Sequence, residues 1–173
     1  MRINKHRHIC RWVAGSLLAA LASVASAWSA GPLPDARHTP GAINTAVGQS
    51  NIESTICARG WTRTVRPSYE WSNSMKHRLL RQEGLPSSMI HAYELDHLVP
   101  LELGGAPADP RNLWLQPWNG GWSAHAKDDL ENQLNHLVCS HRLSLAEAQR
   151  AIATDWISAY RKYVTEGARG RRY

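Results

Sequence analysis

Cysteine is scarce in this chain: 173 residues carry three, and no two of them form a CxxC pair. A structural zinc held by thiolates is therefore not expected. No Ser or Cys nucleophile motif is present, which sets aside the common covalent hydrolases. Internal repeats are absent, and no module that reads base edges is visible. The one long apolar run, residues 13–25, is shorter than the ~20 residues a membrane-spanning helix needs. Residues 94–110 hold four acids and neither Lys nor Arg, a stretch that suits a cation.

What is present begins with an address. Arg2, Lys5, Arg7 and Arg11 flank the start of the apolar run, and Ala25-Ser26-Ala27 ends it. A basic start, a short apolar core and a small-x-small ending make a secretory signal peptide over residues 1–27. Removing it takes away four basic residues and no acid, so the net charge falls from +6 to +2. The basic charge that remains is unevenly placed. Arg59, Arg63, Arg66, Lys76, Arg78 and Arg81 are opposed only by Glu70 between positions 59 and 81, a segment suited to a polyanion. The mature chain has the length of one ordinary domain and is expected to be a monomer without a membrane anchor. Export leaves Cys57 and Cys139 in an oxidising compartment, periplasmic or extracellular, and a disulfide joining them is the economical reading.

Residues 28–51 are rich in Pro and Gly with little apolar periodicity, and read as a flexible leader to a domain over residues 52–165. Residues 54–68 alternate too irregularly for a strand, and Pro67 closes them. Met75 and Leu79, four apart, predict a short helix over residues 72–81. Tyr93, Leu95, His97, Val99 and Leu101 alternate as in a strand with one face inward. Gly104, Gly105, Pro107 and Pro110 then force a loop, and residues 112–116 (NLWLQ) form a second strand of a hairpin. The glycines need no role beyond that turn. Ala126, Leu130, Leu134 and Leu137 share one helical face, with Lys127, Asp128, Glu131 and Asn135 assigned to another. Ser144 and Glu147 make a capping box for a last helix, whose buried stripe is Leu145, Ala148, Ile152, Trp156, Ala159 and Tyr163. Residues 166–173 are a basic, frayed tail.

Asp96 and His97 sit side by side near a strand end, with Asn112 across the Gly/Pro loop. Phosphodiester hydrolysis uses such a set: a cation to neutralise growing charge and a positioned base to take a proton from water. An Asp-His dipeptide alone carries little weight. The larger order does more: ELDHLVPLELGG at 94–105, DPRNLWLQP at 109–117 and AHAKDDLENQLNHLVCS at 124–140, as strand, strand and helix. Over roughly residues 52–163 the chain resembles the HNH (ββα-metal) nucleases, in particular small exported bacterial members.

The resemblance implies an α+β domain in which a hairpin packs on a helix around one divalent metal, with additional helices. It implies His97 as general base, Asp96 as metal ligand and Asn112 as the residue that braces the loop and orients His97. For the second protein ligand, His125 is the nearest candidate, with Asn119, Asp128 and Glu131 behind it. Mg²⁺ is the first expectation for the cofactor, with Mn²⁺, Ni²⁺ and Zn²⁺ as alternatives. Arg111, Arg63, Arg66 and Lys76 are candidates to hold phosphates, although surface arginines are commonly only solvated. Trp114 is assigned to the core. The expected function is a metal-dependent endonuclease acting on DNA, or on RNA, with weak sequence preference. The rival is a nucleic-acid-binding protein that keeps the fold but has an incomplete centre.

Overall fold

The computed structural model describes residues 32–167, so the expected signal peptide and most of the expected basic tail lie outside the described residues. The architecture is mixed α+β around a small two-stranded sheet. After a 3₁₀ segment (Gln49–Ser54) come helix α1 (Trp61–Val65) and helix α2 (Tyr69–Gln82). Strands β1 (Tyr93–His97) and β2 (Leu113–Pro117) follow, then helix α3 (Ala124–Cys139) and helix α4 (Leu145–Tyr160), which runs on into a π-helical turn (Arg161–Glu166). Among the described residues no helix is long and apolar enough to cross a membrane.

Local chemistry sets most of these boundaries. Helix α2 is longer than its apolar pair suggests because Ser68 caps it, accepting a hydrogen bond from the Trp71 amide, with Glu70 in the first turn. Strand β1 stops at His97 instead of continuing to Leu101. The reason is Asn112, whose side chain takes both backbone groups of Val99: Oδ1 accepts from its N–H at 2.9 Å and Nδ2 donates to its carbonyl at 2.9 Å. With those groups satisfied by a side chain, the ladder has nothing to continue with. Pro100 and a 3₁₀ turn (Leu101–Leu103) then lead the chain away.

The hairpin is antiparallel, with Glu94 opposite Gln116, Asp96 opposite Trp114 and His97 opposite Leu113. Alternation puts Trp114 on one face, where it joins Leu98, Val99, Leu103, Leu130, Leu134, Ile152 and Trp156 in the main core. Leu113 and Leu115 point the other way, toward the side on which α2 packs across both strands with Met75 and Leu80 buried. The expected α4 stripe is buried through Ala159, and Ser144 caps the helix by accepting from the Glu147 amide.

Three expectations need correction. Residues 39–47 are not a loose leader: the Gly41 amide donates to the Arg111 carbonyl, that of Asn44 to Gly104, and that of Ala106 to Ala42. Thr39 and Val47 are buried, and the Trp156 indole donates to the Pro32 carbonyl at 2.7 Å. The long loop between the strands has main-chain groups that need partners once it is buried, and this segment supplies them. Residues 61–65, inside the stretch read as irregular, form α1. Lys127 does not lie along a face of α3 apart from the leucine stripe; it is fully buried, as are Leu130 and Leu134. The disulfide between Cys57 and Cys139 is formed, with Cα atoms 5.6 Å apart, tying the chain ahead of α1 to the end of α3.

Candidate active site

His97 ends β1 and is 9% exposed. Its Nε2–H donates to the Pro107 carbonyl at 2.9 Å, which fixes the neutral tautomer with its lone pair on Nδ1. Nδ1 has no hydrogen-bond partner among the described residues. Burial pushes the imidazole below its ordinary pKa of 6.5, with the Pro107 hydrogen bond and the Asp96 charge pulling the other way. The ring is thus held as a neutral base near neutral pH.

Asn112, fully buried, is what holds that acceptor in place. Besides gripping Val99, its Nδ2 donates to the Ala106 carbonyl at 3.1 Å, so one amide closes the loop next to Pro107. Asn112 thus joins Val99 to Ala106, the neighbour of the Pro107 carbonyl to which His97 bonds.

Asp96 lies on the hairpin face that carries Trp114 and Gln116. Its Oδ2 accepts from the Trp114 indole N–H at 3.0 Å and forms an ion pair with Lys127 Nζ at 2.8 Å. Lys127 also donates to the His97 carbonyl at 2.8 Å and to Glu131 Oε1, one helical turn on. The ammonium thus hydrogen-bonds two acceptors and forms an ion pair with a third oxygen. Burial alone would lower the pKa of this amine, but the carboxylates of Asp96 and Glu131 outweigh it and hold Lys127 above its ordinary value. Burial pushes Glu131 above its ordinary value, against the pull of the Lys127 ammonium beside it.

Further acids surround this pair. Glu94 is pushed up to about 7 by burial and by the charges of Asp96 and Asp128. Glu102 and Asp128 are raised by burial first, and Glu102 by Asp128, Asp128 by Asp96. Five carboxylates therefore feel one another around one buried lysine. Arg66, at the C-terminal end of α1, exerts its charge on Glu94, His97 and Glu102. Such a centre repels a phosphate unless further positive charge is supplied.

The donor set can be tested against the divalent ion that the resemblance implies. Both partners of Asp96 converge on Oδ2, and Oδ1 carries no hydrogen bond among the described residues. One hard oxygen among carboxylates suits Mg²⁺, which takes one or two carboxylates and completes its shell with water and substrate phosphates. It does not suit a dedicated cage: no group of three or more His, Cys, Asp or Glu side chains among the described residues is arranged to hold a metal.

Other candidates fall nearer or farther. His125 is exposed at the start of α3 and packs on Trp118 with ring centroids 5.3 Å apart; no hydrogen bond or ion pair joins it to Asp96. The Arg111 guanidinium is forked onto Asp109, with Nη2 to Oδ2 at 2.6 Å, so it is spoken for. Arg63 is exposed on α1, and Lys76 on α2 is close enough to feel Glu94. Trp114 fills the core as expected, and its indole N–H also serves Asp96.

The sequence carries one signal for the Lys127–Glu131 pair. Residues 127, 130, 134 and 138 follow helical spacing, and Leu130, Leu134 and Val138 are all buried. A charged residue on that stripe announces a buried partner. Compared with models of protein families, with curated proteins and with solved structures, the chain matches none of them.

Proposed function

We propose that this chain is an exported, metal-dependent nuclease of the HNH kind, which hydrolyses phosphodiester bonds in DNA with weak sequence preference. The observation that carries this reading is His97: a neutral imidazole with Nε2 tied to Pro107 and Nδ1 left as a base, beside Asp96. His97 takes a proton from the attacking water as its oxygen bonds to phosphorus and the phosphorus–oxygen bond to the leaving sugar breaks. Asp96, through Oδ1, is the residue to hold a divalent ion. When bound, that ion supplies charge neutralisation at the phosphoryl and leaving oxygens. Arg66 is placed to draw in the phosphate backbone. The signal-like start and the Cys57–Cys139 bridge support export.

A second reading, a nucleic-acid-binding protein with an incomplete centre, is favoured by one specific observation: His125 rests on Trp118, and no group of three or more His, Cys, Asp or Glu side chains among the described residues is arranged to hold a metal. Plasmid nicking by the purified mature protein, with Mg²⁺, Mn²⁺ or a chelator, separates the two. The nuclease reading expects ion-dependent nicking and a loss of about 10²–10⁴-fold in His97→Ala with DNA and metal binding retained. Asp96→Ala is expected to weaken metal binding, with partial recovery in excess metal. Wild-type protein that binds plasmid but nicks it under no condition leaves the binding reading standing; the same assay on RNA sets the substrate preference.

A further inference from the structure

A fully buried lysine whose ammonium meets three protein oxygens cannot touch substrate, and its burial must be offset by what it holds. Two of its three oxygen partners belong to the residues at the heart of the centre: Oδ2 of Asp96, as an ion pair, and the main-chain carbonyl of His97, as a hydrogen bond, each at 2.8 Å. The third, Glu131, lies on the same helix. A lysine needed only to neutralise Glu131 would have no reason to reach across to the strand end. Because Lys127 and the Trp114 indole approach the same oxygen of Asp96, they fix the plane of the carboxylate and leave Oδ1 as its open atom. The His97 carbonyl fixes the strand end from which the imidazole projects.

We propose that Lys127 is a positioning residue, whose single ammonium sets the Asp96 carboxylate and the His97 main chain together and so links the pose of the metal-holding group to that of the base. This rests on the nuclease reading for its functional meaning, but the geometry it asserts can be measured without turnover. The Trp114 indole N–H is hydrogen-bonded to the Asp96 oxygen that Lys127 holds, so its proton resonance reports the pose of that carboxylate.

The test compares Lys127→Met/Glu131→Gln with Glu131→Gln alone, so that no unneutralised Glu131 confuses the result. Expected in the double variant are a displaced, faster-exchanging Trp114 indole signal, a loss of about 10–100-fold in Mn²⁺ affinity and in kcat, and an unchanged KM for DNA. An indole signal and Mn²⁺ affinity equal to those of Glu131→Gln would overturn the proposal and reduce Lys127 to a partner for Glu131. If the double variant fails to fold, the wild-type protein decides. The Lys127 ammonium protons should be visible in slow exchange and shift when Mg²⁺ is added, and ammonium protons that exchange as freely as those of surface lysines overturn the assignment. If wild-type protein neither binds Mn²⁺ nor nicks DNA, the nuclease reading fails while the indole comparison still judges Lys127.

Discussion

A buried histidine with one nitrogen committed to a carbonyl is a base with a defined pH range. The His97 value is displaced below 6.5 in the folded protein because burial disfavours the charged ring. Neutral imidazole therefore persists to more acidic pH than in a free histidine, and the acid limb of nicking kcat/KM should have its midpoint below pH 6.5. A midpoint above that value would remove His97 from the role of base. The same shift bears on stability with a definite sign. The unfolded chain takes up the proton more readily, so this contribution is complete above the unfolded value and is lost as pH falls toward the folded one. Asp96, His97 and Asn112 could be put forward from sequence because their spacing and flanking motifs are local. Lys127 could not be found by weighing residue types, since lysine is ordinarily exposed; only its place on the stripe of Leu130, Leu134 and Val138 betrays it.

At the scale of elements, the loop between the strands is as constrained as the strands themselves. A Cβ at Gly105 would overlap the Val99 carbonyl and approach Asn112 Nδ2 to 2.8 Å, so this glycine is required by close approach and not only by the turn. Gly105→Ala should cost more than about 2 kcal/mol in denaturant unfolding, because backbone and not a flexible side chain must yield. A loss of under half that value would show that the loop can shift without disturbing the Asn112 brace. Helix periods were legible where a continuous apolar stripe exists, as in α4. The interruption inside α4 was not: Asp155 leaves helical geometry (φ −160, ψ 91), and its Oδ1 accepts from the Ile157 and Ser158 amides as a cap for the second half. The stripe survives this break because Ile152, Trp156 and Ala159 stay buried, so hydrophobic periodicity carries no trace of it.

Across the whole molecule, two charge distributions meet at one place: the basic segment of α1 and α2 and the carboxylates around Lys127. DNA affinity should fall steeply with added salt as phosphate contacts release counterions. Arg66→Ala should weaken binding more than Arg111→Ala in fluorescence anisotropy, because Arg66 borders the centre while Arg111 is already forked onto Asp109. Equal losses would move the DNA track toward the 109–111 loop. The packing of residues 39–47 was beyond sequence reading for a physical reason. Its bonds to Gly104, Ala106 and Arg111 are largely between main-chain groups, which are the same in every residue type and leave no pattern in composition.

The bond between Cys57 and Cys139, 82 positions apart, also gives the chain a particular covalent topology. Asp96, His97, Asn112 and Lys127 all lie between the two cysteines, so the centre sits inside a closed ring. The chain before Cys57 and helix α4 are tails on that ring, joined to each other through the Trp156 indole and the Pro32 carbonyl. Asn119, Gly120 and Gly121 form an exposed tip within the ring. A protease cutting there opens the ring into two chains crosslinked at Cys57 and Cys139 but releases no fragment, and the two halves bearing Asp96 and Lys127 stay tethered until the disulfide is reduced.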